Sequence, residues 1–126
     1  MGEITTWRDL KVWQKAHALV LSVYEVTKQF PPDERFSLTQ QVRRAAVSVA
    51  SNIVEGFHRK TTKDSLNFYK IADSSLEEVK YQILVARDLE YISNMEYKDV
   101  ITVADEVGRM LFAWTKTQKE FNDKLA

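Results

Sequence analysis

Residues 36–59 read FSLTQQVRRAAVSVASNIVEGFHR. Placed on a wheel at 100° per residue, Leu38, Val42, Ala45, Ala46, Val49 and Ile53 make one apolar face. Val47, Ala50, Val54 and Phe57 extend it on one side. Together they cover roughly 200° of arc, well beyond the ~100° that one core requires. A helix of this kind has neighbours on more than one side. Val47, Ala50, Val54 and Phe57 are therefore the expected subunit interface, and the small residues Ala45, Ala46, Ser48, Ala50 and Ser51 would let another helix come close. The narrow polar arc holds Arg44, Ser48, Ser51, Asn52, Glu55 and Arg59. It reads either as a hydrogen-bonded device that fixes helix register or as a row of ligand contacts.

Outward from this segment the chain is punctuated three times: at Pro31-Pro32-Asp33, between Gly56 and Thr62, and around Asn94. Thr6-x-x-Asp9, Thr61-x-x-Asp64 and Ser93-x-x-Glu96 each place a capping hydroxyl three residues before an acid. Ser37-x-x-Gln40, with an amide in place of the acid, is a fourth candidate, and Asp33 could also cap that helix. Helices are expected over about 7–30, 34–58, 63–91 and 94–122. The first carries two apolar stripes, Leu10, Trp13, His17, Val20, Tyr24, Thr27 and Val12, Ala16, Leu19, Val23, Val26, Phe30. The third carries Tyr69, Ala72, Leu76, Val79, Ile83 and Ala86, and the fourth Val100, Val103, Val107, Met110, Trp114, Thr117 and Phe121. Steps of three and four sustained over several turns mean side-by-side packing at shallow angles. Short connections make neighbours antiparallel. An all-α, up-down-up-down four-helix bundle in one domain, residues 1–126, follows.

Composition narrows the function. The chain has 126 residues, 44% hydrophobic and 29% charged, with 3 Gly and 2 Pro. That is globular composition, and too poor in turn residues for most all-β folds. Cysteine is absent, which removes thiolate nucleophiles, disulfides and Cys-based metal sites. No apolar run approaches a membrane span and no secretory signal is visible, so a cytoplasmic protein without membrane contact is expected. The opening Met1-Gly2-Glu3-Ile4-Thr5-Thr6 fits only the loose myristoylation pattern. Net charge is zero, from 18 basic and 18 acidic residues. Residues 1–63 carry 10 basic and 6 acidic groups and residues 64–126 carry 8 and 12, a modest polarity along the chain.

Several segments resemble one family. Leu38-Thr-x-Gln41, Arg43-Arg44-Ala45-Ala46-x-Ser48 and Ser51-Asn52-Ile53-x-Glu55-Gly56 match the signature of small proteins encoded in intervening sequences of large-subunit ribosomal RNA genes. Leu10-Lys-Val-Trp13-Gln-Lys-Ala16, Phe30-Pro31 followed by Glu34, and Ile71-Ala72-x-Ser-Ser75-Leu76-x-Glu78 are similar to other parts of it. The resemblance spans about residues 7–115. It implies a four-helix bundle and a homo-oligomer, a ring-shaped pentamer in several relatives. The chain is also similar to the accessory protein of diversity-generating retroelements, a basic pentamer that binds a reverse transcriptase and nucleic acid. The family motif supplies a polar row at Gln41, Arg44, Ser48, Asn52, Glu55, Ser75 and Glu78.

Catalytic chemistry finds little to work with. Glu55-x-x-His58 matches half of a di-iron carboxylate motif, but the other histidine, His17, is preceded at the same spacing by Gln14. His17 is expected in the core or at an interface, and no metal site or cofactor is expected. There is no Gly-x-Ser-x-Gly, no Ser-His-Asp set and no glycine-rich phosphate loop. Glu77-Glu78 and Asp105-Glu106 diverge by about 100° on a helix. Nucleic-acid contact, RNA or DNA, is expected of Arg59, Lys60 and Lys63 at a helix connection. They belong to a segment, 33–63, with six basic and three acidic residues. A ring would repeat that patch on one rim. Trp7, Trp13 and Trp114 are read as packing residues. The sequence thus predicts a non-enzymatic, homo-oligomeric helical scaffold that binds structured RNA or an RNA-handling partner, with a protein–protein adaptor as the alternative.

Overall fold

A computed structural model describes residues 3–125, leaving Met1-Gly2 of the acylation pattern outside the described residues. It contains four α-helices: α1 (Lys11–Thr27), α2 (Leu38–His58), α3 (Thr62–Asp88) and α4 (Asn94–Leu125). Two short 3-10 turns, Trp7–Asp9 and Pro32–Glu34, precede α1 and α2. The described residues form no strand.

The connections and contacts fix the topology. Only residues 59–61 separate α2 from α3, a reach of roughly 10 Å, far short of the length of either helix. The two helices must therefore turn back on each other. Ser48 meets Ser75 and Gly56 meets Tyr69, so position falls on α3 as it rises on α2. Lys80 pairs with Asp105 and Leu76 lies beside Gly108, which makes α3 and α4 antiparallel. Arg43 reaches Thr27 between α2 and α1. Gln29 bonds to Glu96 while Lys15 pairs with Glu106, so α1 and α4 also run oppositely. The helices form a square with α1–α2, α2–α3, α3–α4 and α4–α1 edges.

The core is continuous. Leu19 and Val23 of α1, Val42, Val49 and Ile53 of α2, Leu76, Val79 and Ile83 of α3 and Val107 of α4 are fully buried within it. The second stripe of α1, Val12 to Phe30, is the core stripe. The first is half-open: Trp13 and Val20 are partly covered, and His17 and Tyr24 are exposed. His17 is not a core histidine. It stacks on Trp13 at 5.1 Å between centroids.

Three of the four predicted caps form. Thr6 and Asp9 make a reciprocal capping box, but on the 3-10 turn rather than on α1. The chain becomes extended at Leu10, whose side chain sinks into the core, and α1 starts after it. Thr61 accepts the Asp64 N–H at the head of α3. Ser93 and Glu96 cap α4 reciprocally, at 2.8 and 3.0 Å. Ser37 makes no side-chain cap bond, and α2 begins at Leu38 rather than near residue 34. The turn Pro32–Glu34 holds the intervening residues. Its Glu34 accepts a 2.8 Å bond from Tyr91 in the α3–α4 connection, tying together the two connections at that end of the bundle.

The end of α3 shows why it stops at Asp88, short of residue 91. Glu90 has φ 64°, the left-handed region. The Tyr91 N–H then reaches Ala86 O and the Glu90 N–H reaches Arg87 O, both at 2.9 Å. This is the double bond pattern of a Schellman ending, with glutamate where glycine is usual.

Candidate functional site: the outward face of the second helix

The arc of α2 is wide because α2 has two neighbours within its own chain, α1 and α3. Ala50 is buried, Phe57 is half-buried against the same core, and Val54 is half-buried. Of the predicted interface residues, Val47 is the open one, at 39% exposure.

The family-motif polar row assembles along the α2–α3 seam. Ser48 Oγ and Ser75 Oγ are 2.8 Å apart. Asn52 Nδ2 donates to Ser48 O at 2.8 Å and to Ser48 Oγ at 3.0 Å. Gln41, Arg44, Ser48, Ser75 and Glu78 border a shallow groove of about 300 Å³. Next to it Gln82, 7% exposed, donates to Glu78 at 3.2 Å while its own carbonyl oxygen has no protein partner. Glu55 stands apart from the row and pairs with Arg59 at 2.7 Å.

On the other side of the same ridge, between α2 and the end of α1, lies a groove of about 600 Å³. Arg35, Arg43 and Arg44 line it, with Tyr24, Phe36, Thr39, Gln40, Val47, Ser48 and Ser51. No carboxylate is among its lining residues. Arg43 is held in place: its Nε donates to Thr27 Oγ1 at 2.8 Å and its guanidinium lies 4.6 Å over the Tyr24 ring. Thr27 is buried and donates in turn to Val23 O at 2.7 Å. Phe36 is 80% exposed with the Arg35 guanidinium 5.2 Å from its ring centre. Arg44 and Ser48 belong to both grooves, so the outward ridge of α2 is one continuous surface.

The predicted basic rim sits at the far end of α2. Arg59 is paired with Glu55 and lies 4.4 Å over the Phe68 ring. Lys60 and Lys63 are exposed and make no ion pair among the described residues. Sequence reasoning counted Arg35 and Arg43 within the basic segment but missed their groove and the exposed Phe36 beside it. One signal was available: Phe36 fits none of the apolar stripes. No three His, Cys, Asp or Glu side chains among the described residues converge on a point that could hold a metal ion. No described helix is long and apolar enough to cross a membrane.

The fold and the polar α2–α3 seam define a small four-helix bundle with a motif-bearing second helix. The chain belongs to the 23S rRNA-intervening sequence protein family, whose model matches residues 8–113. It is similar in structure to a protein of unknown function from the S23 ribosomal protein family of Bacteroides thetaiotaomicron. The TM-score is 0.77 at 22% identity, over 83% of this chain and 98% of that one. At that identity the likeness speaks for the fold. None of the curated proteins matches the chain.

Proposed function

We propose that this protein is a non-enzymatic helical scaffold that assembles with copies of itself in the cytoplasm and holds structured RNA. The observation that carries this reading is the uncompensated charge of the α1–α2 groove: Arg35 before α2 and Arg43 and Arg44 on it, with no carboxylate in the lining. Phosphates are the natural counterpart of such a surface, and guanidinium groups bind them through paired N–H donors. Lys60 in the α2–α3 link and Lys63 in the first turn of α3 add cationic groups beyond the other end of α2. Self-association is supported by large apolar side chains left open on the other helices, among them Leu21, Ile71, Tyr81 and Phe112. A ring, pentameric as in several relatives, would multiply each basic patch by its subunit number.

The test is fluorescence anisotropy with structured ribosomal RNA and with duplex DNA across a salt series. Micromolar or tighter binding that weakens steeply with salt supports the scaffold. No binding at low salt removes nucleic acid from the reading and leaves the protein–protein adaptor. Sedimentation at micromolar concentration tests assembly independently, and a monomer would overturn it.

A further inference from the structure

Resting on the RNA reading above, we infer that the α1–α2 groove takes an unpaired stretch of the strand, with a base stacked on Phe36 and phosphates on Arg43 and Arg44. Phe36 is 80% exposed at the mouth of a cationic groove and has no part in the core. An aromatic face in that position has nothing to do for a duplex, whose bases are already stacked inside the helix. Unpaired bases present a free face, and sequence-tolerant stacking on aromatic side chains is how single strands are gripped. The guanidinium of Arg35, near the Phe36 ring, provides a second flat surface on which a base can lie.

Arg43 shows that the groove is prepared rather than incidental. Its bonds to Thr27 Oγ1 and Tyr24 O and its seat on the Tyr24 ring fix the head group, while Nη1 makes no bond among the described residues and remains for a ligand. An arginine already immobilised loses little side-chain entropy on binding. Thr39, Gln40 and Ser51 add neutral polar groups to the lining, suited to sugar and base edges. Charge alone would suit an acidic protein segment equally well; the open face of Phe36 is what favours a strand with free bases.

The experiment compares oligouridylate with a blunt duplex of the same length, on the full chain and on Phe36→Leu, Phe36→Trp and Arg43→Gln. Leucine keeps the bulk at an exposed site and removes the π-face, so folding is unaffected and thermal melts verify that. The single strand should bind more tightly than the duplex. Phe36→Leu should weaken single-strand binding about tenfold and leave duplex binding unchanged, and Phe36→Trp should restore it. Arg43→Gln should weaken both. Equal binding of the two probes, or indifference to Phe36→Leu, overturns this inference while leaving the RNA reading intact. Absence of binding by either probe overturns both.

Discussion

The ring of Tyr69 lies directly across Gly56, where a Cβ would overlap it; two further ring carbons sit 2.9 and 3.0 Å from the Cβ position. Tyr69 is buried, so the ring has no room to withdraw. Gly56→Ala gains about 1 kcal/mol of helix propensity and loses about 2–3 kcal/mol to overpacking. The expected result is net destabilisation of about 1–2 kcal/mol in denaturant melts. Gly108→Ala provides the contrast. Its nearest outside atom is a Leu76 methyl at 3.4 Å, an ordinary contact. There the propensity gain should survive, and the variant should be more stable by up to about 1 kcal/mol.

Glu90→Gly should also stabilise. The left-handed backbone at this residue strains any side chain with a Cβ, by roughly 1 kcal/mol, and the two carbonyl-satisfying bonds of the helix ending do not involve the glutamate side chain. Glycine should raise the melting temperature by a few degrees. Glu90→Val should lower it, because branching at Cβ tightens the same clash.

Ser48 and Ser75 form a hydroxyl pair in a seam that excludes much of the solvent. Removing the Ser48 hydroxyl strands that of Ser75, at about 1–2 kcal/mol, and removing both relieves that cost, whereas Ser75→Ala alone leaves Ser48 Oγ still accepting from Asn52. A double-mutant cycle of Ser48→Ala and Ser75→Ala should therefore be strongly non-additive. The double variant should be no less stable than the worse single. Simple additivity of the two losses would show that the hydroxyls do not depend on each other.

Acid should loosen the head of α4. The backbone N–H of Ser93, and then the Gln29 amide, hold the Glu96 carboxyl below the ordinary glutamate value of 4.5. In the unfolded chain this carboxyl takes up its proton at a higher pH. The stabilisation is thus complete above the ordinary value and is lost as pH falls through the folded-state value. Lys15 acts on Glu106 in the same direction. Unfolding midpoints measured from about pH 7 down to about pH 3 should fall less steeply for Glu96→Gln than for the unaltered protein. Equal slopes would show that the cap does not titrate with folding.

Replacing Arg59, Lys60 and Lys63 together with glutamine should reduce the salt dependence of RNA binding. Because Arg59 is already engaged by Glu55, the log–log slope should change by about 2 rather than 3. A change near 3 would mean that RNA displaces the carboxylate.

The helical architecture was legible because stripes such as Val12–Phe30 and Tyr69–Ala86 have one period and three real caps. The start of α1 was not. Thr6 and Asp9 make a true capping box, and nothing in that motif distinguishes a 3-10 turn from the helix that follows Leu10. The wide apolar arc of α2 was read as a core face plus a subunit interface, but a wheel cannot say whether a neighbour is another helix of the chain or another copy. For Ala50 it is the chain's own bundle. The motif named Ser48, Asn52 and Ser75 as one polar row, but not that they meet across the α2–α3 seam. The Phe36 groove did not, since it depends on where α1 ends relative to Arg43, a relationship that no local spacing encodes.

The three-residue link between α2 and α3 also bears on how the chain acquires its shape. Pairing these two helices closes the shortest loop in the molecule, so the entropy lost before contacts form is least there. Their interface is the most extensive in the bundle and includes the Gly56–Tyr69 and Ser48–Ser75 contacts. Joining α1 to α4 instead requires chain ends separated by almost the whole sequence. Folding should therefore begin as a hairpin of the two central helices, with the outer pair docking afterwards. The segment that carries the family motif is then also the nucleus on which the rest of the protein condenses.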